Sequence, residues 1–558
     1  MKFLRTKKDK TMKKKLYNII FIATSWLVLA SCSSDFLKEY SQDLGRVQTV
    51  DDLKELMVGD CLLPKSLFSN EYSYFQTEND NYLCVHFMSD ELQENINTAE
   101  DMSNYIGYRD KMFPYFTWQQ NLYIDKNGKI SYDSNESELW NLAYQVINNC
   151  NMVLDAADLL TTHSETEMAE VQKVKGELYY LRASYYLMLV NLYGKPYTPS
   201  TAATELAVPV KLSPNVEDKD FERASVADVY AQIISDLDAA EAHLATASAP
   251  VSIYHPGIEA VYILRSRVAL YMQDWETAKT YAQKAIDKDG YLLNLQSVPS
   301  ASYPLNKQNA EVVFSNGASM LGNILFVNPG DKHSYSEVSP SWYLSDNLYA
   351  LFSDDDYRKT TYITTDDDLT NSLPTYHKVD CSIASYGKYK EVSDVFSIRT
   401  AEAYLNMAEA EAQLGNDHEA CVWLGKLRQN RIADGGAVTL AGAELIKFVR
   451  EEREREFFLE GQRWFDLRRY MVDAKYPFTK EIVHTMSTFK SQDGTTYRSN
   501  LSKYRLEKND AAYTLDIPKQ VRDFQPSIGS NQRPARPAFE SEDFSAGGGD
   551  DGDDDYDW

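Results

Sequence analysis

The densest set of ionisable groups runs from Arg450 to Arg469, in the order Arg-Glu-Glu-Arg-Glu-Arg-Glu-Phe-Phe-Leu-Glu-Gly-Gln-Arg-Trp-Phe-Asp-Leu-Arg-Arg. Carboxylates and guanidinium groups at this spacing suit two kinds of chemistry. Two Asp or Glu side chains facing one another across a substrate hydrolyse glycosidic bonds. The same groups paired among themselves fix packing and need no substrate. The spacing favours pairing: Arg450 with Glu454 and Glu451 with Arg455 stand four residues apart, where a helix satisfies much of its own charge. Phe457, Phe458, Trp464 and Phe465 beside them predict partial burial. No GxSxG, HExxH, P-loop or GxGxxG segment occurs. The histidines (His86, His163, His243, His255, His333, His377, His418 and His484) are isolated in sequence. The acidic runs Asp354-Asp355-Asp356 and Asp366-Asp367-Asp368 lack the alternation of a calcium loop. The reading is a protein that is not an enzyme, with no catalytic residues, no cofactor and no metal site.

The aromatic residues are the stronger lead. The chain holds 39 Tyr and is 12% aromatic, and many of these rings fall outside helical patterns. Sugar rings stack their apolar C–H faces on flat aromatic rings, while their hydroxyls need amides, carboxylates or guanidinium groups beside the stack. Three segments offer both. Asn70 to Phe75 contributes Tyr72 and Tyr74. Asn95 to Arg109 contributes Asn104, Tyr105 and Tyr108. His333-Ser334-Tyr335 lies near Trp342 and Tyr343. The expected ligand contacts are Tyr72, Tyr74, Asn104, Tyr105, Tyr108, His333, Tyr335 and Trp342. Phe113, Tyr115, Phe116 and Trp118 are expected to pack on the first helix that follows them.

At the N-terminus Lys13-Lys14-Lys15 precedes an apolar run from Ile19 to Leu29, which closes in Leu29-Ala30-Ser31-Cys32. That order marks a secretory signal over residues 1–31, and Met12 is a plausible start. Leu-Ala-Ser-Cys is similar to the lipobox of bacterial lipoproteins, which implies lipid on Cys32, with residues 32–45 as lipidated terminus and tether. The apolar run is shorter than the roughly 20 residues a spanning helix needs. Removing residues 1–31 takes eight of the 57 Lys/Arg and one of the 83 Asp/Glu, leaving a formal charge of −33. Nucleic acid is excluded as a general partner, because phosphate backbones need a positive face. Cys61, Cys84, Cys150, Cys381 and Cys421 show no CxxC spacing. Cys150 and Cys421 fall inside helical patterns, where a free buried thiol is the ordinary state, and one disulfide is compatible with export.

The elements that must hold these groups are helical. Leu139, Leu142, Val146, Ile147, Met152, Val153, Ala156 and Leu160 recur at helical spacing. Further helices are expected from about Glu167 to Leu192, after an N-cap at Ser225, over Gly257 to Gln273, Thr277 to Lys288, Ile398 to Leu414, Glu419 to Arg431 and Ala443 to Tyr470. The stretches around Ala260–Ala278 and Ala401–Ala420 each carry small residues on one face, a tight turn and a second helix, the pattern of tetratricopeptide-like pairs. Residues 46–130, 289–397 and 471–540 read as irregular. Residues 541–558, with Gly547-Gly548-Gly549 and six aspartates from Asp550 onward, read as a disordered acidic tail.

Together these stretches resemble the SusD/RagB family of outer-membrane nutrient-binding lipoproteins. The resemblance rests on the lipobox with Asp35-Phe36-Leu37, and on Trp140, Tyr144, Ile147 and Asn149. It continues through Gly176-Glu177, Tyr180, Arg182-Ala183, Tyr186 and Tyr193-Gly194-x-Pro196. It closes on Ala401 to Ala410, on Arg450 to Arg469, and on Asp516-Ile517-Pro518 with Pro526 and Asn531. It implies a mainly α, tetratricopeptide-like helical-pair scaffold with a loop-rich ligand-binding layer over residues 46–540. It also implies a lipid-anchored protein on the exterior of the outer membrane, delivering oligosaccharides to a SusC-like TonB-dependent transporter. The alternatives are a peptide-binding lid of the same kind of transporter, a surface glycosidase, and a purely structural scaffold.

Overall fold

The computed structural model describes residues 47–62, 84–95, 112–123, 136–299, 302–317, 321, 325–327, 339–365, 372–379, 391–492 and 495–544. The chain packs as two units, Met1–Asp52 and Leu53–Trp558; of the first, residues 47–52 are described, and the second carries the elements below.

The second unit is mainly α. After the short helix α1 (Cys84–Met88) come α2 (Glu136–Leu159), α3 (Glu165–Tyr193), α4 (Val226–Leu244), α5 (Ile258–Tyr271), α6 (Trp275–Lys288), α7 (Thr400–Leu414), α8 (Asp417–Arg428), α9 (Gly442–Phe457) and α10 (Arg463–Met471). Local chemistry sets their starts. Ser164, Ser225 and Asp274 accept from the backbone N–H three residues on, at Glu167, Asp228 and Thr277, satisfying donors that no helical carbonyl reaches. Neighbouring helices pack as α2 on α3, α3 on α4, α5 on α6 and α7 on α8, while α6 on α7 joins successive pairs. Small residues permit the approach: Ala401, Ala408, Ala412 and Ala420 are buried with Leu424 and Leu445 in one cluster, and Ser266 Oγ donates to the Ala278 carbonyl at 2.7 Å.

The expected single helix over 443–470 is two. α9 ends at Phe457 and α10 begins at Arg463. Between them Leu459 and Gly461 adopt positive φ, 55° and 74°. A Cβ at 461 would sit 2.9 Å from the Val395 Cα, so a glycine is needed both for the backbone and for the space.

The charged series within these helices is buried, but its partners differ from the expected ones. Arg450 pairs with Asp473 at 2.8 Å and Glu454 with Arg463 at 2.8 Å. Arg455 pairs with Glu452 at 2.7 Å, three residues back, and Glu451 faces Lys447. Tertiary partners win because a buried charge must be met from several directions. Glu456 receives Arg358 at 3.1 Å, Arg399 at 2.9 Å and Arg431 at 2.9 Å. Glu311 meets Arg399 and Arg431, and Glu460 meets Arg399 and Lys378. Against the penalty of burial, Arg431 and Arg399 hold the Glu456 carboxyl well below the usual range. The network ties α9 to segments 311, 358, 378, 399 and 431, where connecting loops alone would hold them loosely.

Strands sit on this scaffold. β1 (Leu92–Glu94) pairs antiparallel with β3 (Trp342–Leu344), with Gln93 opposite Tyr343. β2 (Val312–Ser315) pairs with β4 (Ser397–Arg399). The segment read as irregular over 471–540 holds a long hairpin, β5 (Ile482–Gln492) and β6 (Thr495–Leu506), joined on its far edge by β7 (Glu540–Asp543). Its outer edge reaches into the stretch expected to be tail: β7 runs through Asp543, and Phe544 N–H donates to the Ser499 carbonyl. Alternation drives β5: Ile482, His484 and Met486 are buried while Val483 is exposed, the period-two pattern of a one-sided strand.

Candidate functional site

Where β1, β3 and β5 meet, side chains border a cleft of about 370 Å³, within the range of small-ligand sites, about 300–1,000 Å³. Its back wall is aromatic. The His484 ring is stacked between Phe116, 4.0 Å centroid to centroid at 12°, and Trp118, 4.3 Å at 24°. Burial drives the imidazole down to about 4, so it is neutral at pH 7. Its Nδ1 lies 2.7 Å from the Phe116 carbonyl, and since a carbonyl only accepts, Nδ1 carries the proton. Trp118 Nε1 donates to the Met88 carbonyl at 2.9 Å, fixing the stack to α1.

The lining is polar. Gln93, Tyr343, Asp346, Asn347, Lys480 and Thr485 border the cavity, with Asp346 and Asn347 exposed. Gln93 Nε2 is buried with no hydrogen-bond partner among the described residues. Tyr343 is half-buried, and burial with the nearby Asp346 carboxylate pushes its phenol up. A part-exposed ring flanked by two amides matches what a neutral polyhydroxylated ligand needs: a flat apolar face, with donors and acceptors at its edge.

Two of the lining carboxylates, Asp90 and Glu94, are otherwise engaged. Asp90 accepts from Arg463 at 2.7 Å and from Lys480; against burial, these two cations hold it far below the usual range. Glu94 accepts from the Ser487 N–H at 2.7 Å. Behind Asp90, Glu91 is 1% exposed, and burial with the Asp90 charge pushes it up to about 8. Glu454 is pushed up to about 7 by burial and Asp90. The carboxyl with the most raised proton affinity is therefore walled off from the cleft.

Of the residues expected from sequence to touch ligand, Trp342 is described. It is 1% exposed, edge-on to Phe87 at 5.0 Å and to Phe116 at 4.6 Å, so it supports the cleft wall from behind instead of presenting a face. Tyr72, Tyr74, Asn104, Tyr105, Tyr108, His333 and Tyr335 lie outside the described residues, as does Cys32. Phe113 and Phe116, expected on the first long helix, meet Tyr504, Trp342 and His484 instead. Asp354, of the first acidic run, pairs with Lys359, and Asp356 with Arg358. Among the described residues no cluster of three or more His, Cys, Asp or Glu could hold a metal, and no helix is long and apolar enough to cross a membrane. Gln93, Asn347 and Thr485 were not among the expected contacts. The alternation along Ile482–Met486 and the Asp493-Gly494 step after it are signals that could have found the hairpin, but they went unused in the stretch read as irregular.

Two family models match the chain. One, described as the SusD family, matches residues 352–533. The other, described as starch-binding associating with outer membrane, matches residues 65–270. A SusD-like protein of Formosa agariphila is 22% identical over 399 residues, 61% of this chain and 72% of that protein. A SusD-like carbohydrate binding protein from Bacteroides vulgatus has a similar structure, with a TM-score of 0.61 at 20% identity over 87% of this chain and 98% of that one. Surface glycan-binding protein A from Bacteroides uniformis gives a TM-score of 0.57 at 18% identity over 87% of this chain and 100% of that one.

Proposed function

Because the chain belongs to the SusD/RagB family, we propose that it is a glycan-binding lipoprotein of the outer membrane that captures oligosaccharides and is not a catalyst. The anchor on this reading is lipid at Cys32, which leaves the body facing the cell exterior; two or more acyl chains suffice for stable attachment. The captured oligosaccharide passes to a SusC-like, TonB-dependent transporter. The observation that carries the reading is the ordered pair of family matches, one of them to starch-binding proteins associated with the outer membrane. Two structural neighbours that bear carbohydrate- and glycan-binding names support it. The cleft at Tyr343 adds a place in this chain with chemistry suited to a sugar ring.

The test is affinity electrophoresis of the body from Ser33 onward through gels containing individual polysaccharides. At least one glycan is expected to retard it. Tyr343→Ala should abolish most of that retardation if the cleft is the site, since losing a stacked ring typically removes about 1 kcal/mol or more. Loss with Tyr105→Ala or Tyr335→Ala instead would put the contacts in the segments singled out by sequence. Retention by no glycan, with binding to peptides, would overturn the sugar reading in favour of a peptide-binding lid.

A further inference from the structure

Two cysteines far apart in sequence meet in the interior. Cys61 lies in a single turn of π-helix, Val58–Leu62, and is 3% exposed; Cys150 lies within α2 and is 0% exposed. The turn packs against α2. Asn149 Nδ2 donates to the Asp60 carbonyl at 2.9 Å, so the residue preceding each cysteine is tied to the other's segment. The neighbouring Cys150 thiol, together with burial, pushes the Cys61 thiol well up. Both are free here, and among the described residues no metal-binding cluster surrounds them. A π-turn is uncommon and is seldom kept without a local reason; here it brings a thiol onto the face of a helix that carries another.

We infer that Cys61 and Cys150 form a disulfide in the exported protein. The inference rests on the proposed export, since disulfides persist in oxidising compartments and are reduced in the cytosol. In the step itself each cysteine loses its thiol proton. One thiolate attacks the disulfide of a thiol-oxidoreductase or of oxidised glutathione, and the second thiolate then displaces the mixed disulfide. The Cys61–Cys150 S–S bond forms, the oxidant's S–S bond is broken, and the oxidant leaves as two thiols holding the two electrons and two protons. Because both sulfurs are buried in the finished fold, oxidation belongs to folding, before the turn closes on α2. The bond would place a covalent tie between the segment that follows the lipid tether and the first long helix. It would also close a loop containing Tyr72, Tyr74, Asn104, Tyr105 and Tyr108.

The test is peptide mapping of the full chain recovered from the outer-membrane fraction, denatured in an alkylating agent without reductant. A Cys61 peptide joined to a Cys150 peptide, separated by reductant, is the expected result. Both cysteines alkylated in membrane-derived protein would overturn the inference. If the chain is absent from that fraction, the export reading fails on its own. The pair is then decided by refolding the full chain with oxidised and reduced glutathione: the joined peptide supports it, alkylation of both cysteines overturns it. As an independent readout, reductant should lower the melting temperature of the native protein and leave that of Cys61→Ser/Cys150→Ser unchanged. An equal response of the two would count against the bond, whatever the variant's own stability.

Discussion

Glu91 and Glu456 are both buried glutamates, yet their surroundings set them at opposite ends of the titration scale. Glu456 faces three guanidinium groups and stays ionised. Glu91 sits beside the charges of Asp90 and Glu454, and burial with Asp90 raises it to about 8, with Glu454 itself raised to about 7. The ordinary glutamate value is 4.5. Between pH 4.5 and 8 the folded form therefore holds protons that the unfolded form has released. The unfolded state binds fewer protons, so stability falls as pH rises through that window, by up to about 1.4 kcal/mol per pH unit for one such group. Above pH 8 both states are ionised at Glu91 and the slope from this group ends. Glu91→Gln keeps the shape and removes the proton. It should flatten the decline of stability from pH 5 to 8, measured by urea unfolding at each pH, and should raise stability most at the alkaline end. A variant profile as steep as the parent's would mean that Glu91 titrates as an ordinary carboxyl.

At the scale of elements, the connection between α9 and α10 sets how the charged series is presented. A continuous helix would send Glu460 and Arg463 to faces that miss Arg399 and Asp90; the reversal at Leu459–Gly461 brings them there. Gly461→Ala forces an alanine to φ near 74° and puts its Cβ against the Val395 backbone. Gly415, the cap after α7, also has positive φ, 86°, but nothing within 4 Å of an added Cβ. Backbone strain alone is about 1–3 kcal/mol, so Gly415→Ala should lose about that much and Gly461→Ala more. Denaturant midpoints of the two variants check the order. The same elements show what the sequence made legible. Helices α2 to α8 were readable within a few residues, because apolar periodicity and caps such as Ser225 are local signals. The α9–α10 break was not, although Gly461 marked it, because an unbroken run of good helix formers masks a turn that packing against Val395 imposes. The pairs Arg450–Glu454 and Glu451–Arg455 failed for the same reason: a helix's own spacing says nothing of Asp473 or Arg463 arriving from elsewhere. The β5–β6 hairpin was hidden because its buried face uses His484 and Met486 in place of branched aliphatics. The cleft depends on Gln93, Tyr343 and Thr485 meeting from three strands, which one-dimensional spacing cannot encode.

For the molecule as a whole, charge bears on which glycans it can take. The chain is strongly acidic, −26 over its full length. At the cleft the one lysine is spent on Asp90, while Asp346 and Glu481 stand exposed at the lining. Glu481 is partly offset by Arg505 at 3.3 Å; Asp346 is not given a cation by any described ion pair. A neutral oligosaccharide meets such a site without electrostatic cost, whereas a uronate or sulfated chain brings like charge to a like-charged body. The repulsion acts over about 8 Å at physiological ionic strength and fades as salt is added. On the proposed glycan-binding reading, neutral polysaccharides should retard the protein with little dependence on salt. Polyanionic ones of similar backbone should bind weakly at low salt and gain affinity as salt rises, the reverse of a contact made by opposite charges. Asp346→Asn should narrow the gap between the two classes at low salt and leave neutral-glycan binding near its original strength. Titration calorimetry with matched neutral and acidic oligosaccharides, at low and at physiological salt, reads both slopes. A polyanion whose affinity falls with salt would show that cations outside the described residues govern recognition, and that the acidic lining of this cleft does not.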